Sequence, residues 1–214
     1  MEIIKKQIAY NTSKRTTAIK YIVIHDTGNK SKGADAIAHF NYFNGGNRNS
    51  SADFFVDGTQ IIQINDYNTY YTWHCGDGKG KYGITNQNSI GIEICVNSDG
   101  NYSQAYKNAV ELTKWLMKEL NIPAERVVRH YDASGKNCPA SMSNNDWAYW
   151  QDFKNRLSVQ ELTTPNDIVW ELGNRGIVTD TKGMLDEMTK NPDGRLYWLA
   201  RKMLHYIRER EGGI

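Results

Sequence analysis

Residues 20–25 read KYIVIH, followed by DTGNKSKG at 26–33 and ADAIAHFNYF at 34–43. The first stretch alternates, with Ile22 and Ile24 on one face and Tyr21, Val23 and His25 on the other, which is the period of a β-strand. The second is turn chemistry. The third has helical spacing until the Gly45-Gly46 pair stops it. A strand, a loop and a helix in succession favour an α/β fold and put His25 at the C-terminal end of a strand.

Working outward, residues 89–96 (SIGIEICV) alternate again, Ile92 and Ile94 opposing Gly91, Glu93 and Cys95, and predict a central strand. Residues 52–56 and 59–64 flank Asp57-Gly58 and predict a hairpin whose turn needs positive φ at both central positions. A further short strand is expected at 69–73, and the glycine-rich CGDGKGKYG at 75–83 is expected to be an exposed loop. At 102–120, Ala105, Ala109, Leu112, Leu116 and Leu120 form an apolar helical stripe that Asn121-Ile122-Pro123 ends. A last strand is expected at 127–130, ending on His130, and a helix at 143–157 capped by Asn145 or Asp146. The fold class is therefore α/β, a mixed central β-sheet flanked by helices, with a small helical C-terminal segment.

The texture changes after Ser158, so residues 1–159 are assigned to one domain and 160–214 to a helical tail beginning near Thr163-Thr164-Pro165-Asn166. Its last helix, 195–211, is expected to bury Leu196, Leu199, Met203 and Ile207 as one stripe. Trp170, Tyr197 and Trp198 are candidates for docking sugars, for a small core or for a dimer contact.

The whole chain has 214 residues, 39% hydrophobic and 23% charged, enough apolar surface for a core. Lys+Arg 26 against Asp+Glu 24 leaves only +2, which excludes the dense basic surface of a nonspecific nucleic-acid binder. No apolar run approaches the ~20 residues of a membrane span, so no membrane insertion is expected. Residues 1–15 have lysines but no apolar segment behind them, so no secretory signal is expected. Three cysteines cannot all pair within one chain. Cys75 and Cys95 are either bridged or, by default, reduced.

Four residues stand out chemically: His25 and His130 at strand ends, Glu93 inside an apolar strand, and Cys138 in HYDASGKNCP with Lys136 two positions ahead. Two imidazoles and a thiolate match an open three-ligand zinc site. Each residue alone also reads as an ordinary buried or hydrogen-bonded side chain. A carboxylate between Ile92 and Ile94 is either functional or salt-bridged, because its desolvation costs several kcal/mol if unpaired. Asp53 is either a second site carboxylate or, as favoured here, a surface residue near the turn. Asp132 either orients a ligand imidazole or shapes a turn, and His39 is read as a packed or surface histidine.

VIHDTGN around His25, the WHCGDG segment, SIGIEICV and RHYDASGKNCP together resemble the zinc-dependent N-acetylmuramoyl-L-alanine amidases of the amidase type 2 group, related in fold to peptidoglycan recognition proteins. The resemblance is nearest to endolysins of phages and prophages of Gram-positive, clostridial-type hosts, and runs from about Ile3 to Leu157. It implies that residues 1–159 form a zinc-dependent amidase domain with His25, His130 and Cys138 as ligands of Zn2+. It also implies that Glu93 handles the proton of the attacking water, that Lys136 stabilises the oxyanion, and that His74 and Trp73 lie at the substrate. A bound zinc lowers the pKa of its water to about 7, and an oxyanion donor is worth ~3–4 kcal/mol in comparable sites.

The implied reaction is hydrolysis of the amide between N-acetylmuramic acid and L-alanine, and the implied partner is peptidoglycan. Alternatives are a non-catalytic peptidoglycan-binding module and a zinc peptidase acting within the stem peptide. Relatives that place a tyrosine or histidine in the hairpin strand differ here, where Ala52 stands and donates no hydrogen bond, so proton transfer falls to Glu93. The resemblance further implies synthesis in the cytoplasm and holin-assisted release to the wall. The tail, through LGNRGIVTD and GRLYWLARK, resembles C-terminal segments of clostridial phage amidases, a candidate wall-binding or homo-oligomer module.

Overall fold

The structure, a computed structural model, describes residues 2–158, 164–191 and 194–211. The chain divides into two compact units, residues 1–157 and 158–214.

In the first unit, strands β1 (Ile4–Lys5), β3 (Tyr21–Asp26), β4 (Phe54–Val56), β5 (Ile61–Gln63), β7 (Ser89–Ile94) and β8 (Val127–Arg129) form one sheet in the order β1-β5-β4-β7-β3-β8. Strands β2 (Thr12–Lys14) and β6 (Tyr70–Thr72) pair separately as an antiparallel ribbon. The main sheet is mixed: β4 and β5 are antiparallel, while β3 runs parallel to both β7 and β8. β7 is interior, as its alternation predicts.

The two sheet faces are covered differently. Ile22, Ile24, Ile90, Ile92 and Ile94 point to the side covered by α2 (Tyr102–Leu120) and α4 (Asn144–Ser158), where Leu112, Leu116, Trp150 and Phe153 complete the main core. Burying each such large aliphatic side chain contributes about 1.5–3 kcal/mol. On the other side, α1 (Ala36–Asn44) leans Ile37, Phe40 and Phe43 on a cluster around Phe55 and Ile62. At the far edge, Val23 packs with Cys75, Ile84 and Ala133 under α3 (His130–Ser134). His25 and Glu93 occupy the same face between these two clusters.

Several local expectations are corrected. Gly58 has no positive φ; residues 57–60 form a longer loop in which the Asp57 carboxylate accepts from Thr59 N, Thr59 Oγ1 and Gln60 N. Gly58 is small for another reason: a Cβ there would meet the Asn101 carbonyl oxygen at 3.0 Å. The strand expected to end on His130 ends at Arg129, because Asp132 accepts from Arg129 N (2.8 Å) and a left-handed Gly135 closes one helical turn beginning at His130. Asn145, Asp146 and Trp147 are all left-handed, so neither Asn145 nor Asp146 is the extended N-cap expected for α4.

The second unit comprises α5 (Pro165–Asn174), α6 (Thr181–Lys190) and α7 (Arg195–Glu211). Its core is Ile168, Val169, Leu172, Met188, Ala200 and Leu204, with Tyr197 half-buried against it. The α7 stripe expected to be buried is displaced by one residue: Ala200 and Leu204 face inward, while Leu196, Leu199 and Met203 are exposed. The small Ala200 permits close helix approach, which the leucine stripe does not. Trp170 and Trp198 are also exposed, so of the tail aromatics only Tyr197 serves a core. Glu171 is buried and accepts from Arg175 Nε (3.0 Å) and Arg208 Nε (2.8 Å), which hold its carboxyl below the usual range.

Candidate metal centre

His25 and Glu93 are register partners in the parallel β3–β7 pair, so strand periodicity alone sets them side by side on one face. Their side chains approach to 4.0 Å, His25 Nδ1 to Glu93 Oε1. His130 enters from the start of α3, and Cys138 from the loop after it, tied back by Tyr131 N donating to Cys138 O (3.0 Å). The ligand atoms of His25, His130 and Cys138 all lie within 4.8 Å of one another, and all three residues are buried.

Hydrogen bonding determines which ring nitrogens face the centre. His130 Nε2 lies 2.7 Å from Asp77 Oδ1. A carboxylate only accepts, so Nε2 carries the hydrogen and Nδ1 is bare. His25 Nδ1 lies 3.1 Å from that bare nitrogen and 3.8 Å from Cys138 Sγ. Its other nitrogen, Nε2, is 3.1 Å from His74 Nδ1. Desolvation, reinforced by the neighbouring His74 and His130, keeps His25 neutral. Two imidazole nitrogens thus converge with the Cys138 thiol, the one donor to them among the described residues, and Glu93 Oε2 is buried there with no hydrogen-bond partner among the described residues. That donor set fits a cation.

Burial pushes the Cys138 thiol up to about 12, with the Glu93 charge adding to it, and the Glu93 carboxyl up to about 8, with the Asp26 charge adding to it; Lys136 opposes both. A thiolate in this position therefore needs a cation beside it. Lys136 is exposed, and its charge acts on His25, Glu93, His130 and Cys138 alike.

The two residues expected at the substrate, His74 and Trp73, have different surroundings. His74 is only 8% exposed, both its ring nitrogens face protein groups, and it stands behind His25. Trp73 is half-buried and donates its indole N–H to Ser13 Oγ (3.1 Å). Asp53 is not at the surface. It is fully buried and accepts from Gly91 N, Asn65 Nδ2 and Thr72 Oγ1, each at 2.8 Å, tying β4 to β6 and β7. Asp132 caps Arg129 and leaves His130 to Asp77. His39 stacks on Phe55, and the thiols of Cys75 and Cys95 are free and lie in separate clusters.

Asp77 escaped the sequence reading because it lies in the loop read as exposed. Gly78 is the reason that loop comes so close: a Cβ there would meet the Ala133 carbonyl oxygen at 2.1 Å. Ser89 was also missed, although it shares the parity of Gly91 and Glu93 in β7.

On a mixed α/β sheet, the buried His25, His130, Cys138 cluster with a carboxylate beside it could hold a metal ion. The N-acetylmuramoyl-L-alanine amidase family (Amidase_2) matches residues 15–141, and the chain belongs to that family. It is 41% identical over 150 residues to the N-acetylmuramoyl-L-alanine amidase CwlH of Bacillus subtilis (strain 168), covering 69% of this chain and 56% of the relative. Among solved structures, a mutant endolysin from Bacillus subtilis matches with TM-score 0.66 and 41% identity, over 73% of this chain and 99% of that one. The catalytic domain of XlyA matches with TM-score 0.64 and 40% identity, over 74% of this chain and all 100% of that one. The chain spans about half the length of the curated relatives it matches.

Proposed function

We infer that this protein hydrolyses the amide between N-acetylmuramic acid and L-alanine in peptidoglycan, with zinc held by His25 Nδ1, His130 Nδ1 and Cys138 Sγ. The observation that carries the reading is the unpartnered Glu93 carboxylate oxygen beside three converging ligand atoms on one sheet face. Bound zinc supplies Lewis-acid polarisation of the amide carbonyl and a water acidified toward neutrality.

Glu93 is the general base and then the acid. Its half-buried carboxyl takes the proton from the attacking water and returns it to the leaving nitrogen. The Lys136 ammonium, exposed beside the cluster, neutralises the developing oxyanion. Asp77 holds the His130 ring in the tautomer that turns Nδ1 to the metal. The likeness to a solved endolysin supports action on the bacterial wall, and the further reading that the chain is made in the cytoplasm and released to the wall by a holin rests on the family resemblance alone. The exposed Trp170 and Trp198 support sugar docking by the second unit, and the exposed α7 leucines support self-association.

The test is a digest of purified peptidoglycan by the full chain, with zinc quantified in the same preparation. New N-terminal alanine with intact disaccharide and one zinc per chain is expected. Release of cleaved stem peptides without free alanine would mean a peptidase, and binding without any product would mean a wall-binding module.

A further inference from the structure

Behind His25 lies a chain of hydrogen bonds that no catalytic role requires. His25 Nε2 is 3.1 Å from His74 Nδ1, and His74 Nε2 is 3.1 Å from Ser89 Oγ. The direction of the chain follows from its far end. Ser89 has one hydroxyl hydrogen, and it goes to the Thr85 carbonyl oxygen, which can only accept. Ser89 Oγ must then accept from His74, so His74 carries its hydrogen on Nε2. Among the described residues no carboxylate is hydrogen-bonded to the His74 ring, which burial keeps neutral, and its Nδ1 is bare. It accepts from His25 Nε2–H, in competition with donation of a His25 Nδ1–H to the bare His130 Nδ1 3.1 Å away; the relay decides that competition by leaving His25 Nδ1 as the lone pair aimed at His130 and Cys138.

We propose that the Thr85–Ser89–His74 relay is a positioning device that sets the His25 tautomer before any metal arrives. The proposal rests on the reading of His25 as a metal ligand. In the reverse tautomer, His25 carries its hydrogen on Nδ1 and cannot ligate.

The backbone is shaped to admit the relay. The His74 ring lies flat on β7 at Gly91, where a Cβ would meet His74 Cγ at 2.7 Å and Nδ1 at 3.0 Å. Any other residue at 91 would push the ring off His25. Asn86 Oδ1 accepts from the backbone N–H of both His74 (3.0 Å) and Cys75 (2.7 Å), and Ser51 Oγ accepts from Trp73 N (2.9 Å), so the segment that presents the ring is pinned on both sides. The two ligand histidines thus have different supports: a charged carboxylate, Asp77, for His130, and a neutral relay ending on a carbonyl for His25.

The experiment is long-range proton–nitrogen correlation on 15N-histidine-labelled, metal-free full chain, combined with zinc affinity by chelator competition. In the unaltered protein, His25 is expected with a protonated Nε2 and a bare Nδ1. His74→Asn keeps an acceptor oxygen where Nδ1 stood and should retain that tautomer and bind zinc within a factor of a few. His74→Leu should weaken zinc binding by about 10–100-fold, the usual scale for losing such a support. Ser89→Ala frees His74 to donate toward His25 and should give a mixture of His25 tautomers. A metal-free His25 protonated on Nδ1 overturns the proposal, as does equal zinc affinity in folded His74→Leu and His74→Asn. An unaltered protein that binds no zinc overturns instead the metal reading, and the tautomer measurement stays informative in either case.

Discussion

Strands β3 and β7 carry two different kinds of chemistry on their two faces. One face presents Ile22, Ile24, Ile90, Ile92 and Ile94 to α2 and α4, and the other presents His25, Ser89, Gly91 and Glu93. The apolar face is constrained by volume: its side chains fill space, and isosteric exchanges there are tolerated. The polar face is constrained by direction. Each of its groups matters through which atom carries a hydrogen and where a lone pair points, and its one glycine matters because a ring must lie where a Cβ would be.

The contrast is broken most strongly at Glu93. Glu93→Gln should lower kcat about 10²–10⁴-fold while leaving zinc content intact, measured by peptidoglycan release and metal analysis. Cys138→Ser with full lytic activity would sink the ligand assignment outright. On the opposite face, Phe153→Ala should cost about 3–5 kcal/mol of stability in urea unfolding, with zinc affinity of the folded fraction unchanged. Phe153 is fully buried, stacked on Trp150 and edge-on to Tyr106.

Gly91→Ala tests the boundary between the faces. It should cost about 1–3 kcal/mol and also weaken zinc binding, because the added methyl displaces His74. A stability loss with unchanged zinc affinity would show that the ring relocates without consequence.

Acid pH should separate the faces as well. Burial lowers His74 to about 3 and depresses His25 and His130, so the unfolded chain binds more protons than the folded one below about pH 6.5. The metal-free protein should therefore hold this stability above pH ~6.5 and lose it as pH falls toward 3, on the order of a few kcal/mol in total. His74→Asn should have the shallower slope in urea unfolding at pH 7.5, 6 and 5. The smallest effect is expected in the second unit, where Leu199→Ala should stay within about 0.5 kcal/mol. Leu204→Ala, one face round the same helix, should cost about 2–5 kcal/mol in that unit.

Most elements and the residues of the His25, His130, Cys138 cluster were legible in the sequence because their signals are local or carried by four ordered motifs. The helix at Tyr102–Leu120 matches its stripe to the residue, and β7 is interior as its alternation predicts. Asp53 was misread because its position beside a turn resembles a surface carboxylate, and only the pairing of β4 with β7 reveals that Gly91, Asn65 and Thr72 surround it. The α7 stripe was misread because two adjacent stripes, Leu196-Leu199-Met203 and Tyr197-Ala200-Leu204, have the same period, and packing against α5 and α6 chose between them.

From the sequence by itself came the α/β class, His25 at a strand end and Glu93 inside an apolar strand, and the identity of the residues able to bind a metal. Periodicity and residue chemistry are properties of short stretches, so they survive without coordinates. The tertiary structure alone decided that Asp77 supports His130, that His74 and Ser89 stand behind His25, and that Gly91 and Gly78 are empty so that a ring and a loop can approach. Those are contacts of orientation between segments distant in sequence, and the direction of a hydrogen bond exists only once both partners have been brought to about 3 Å.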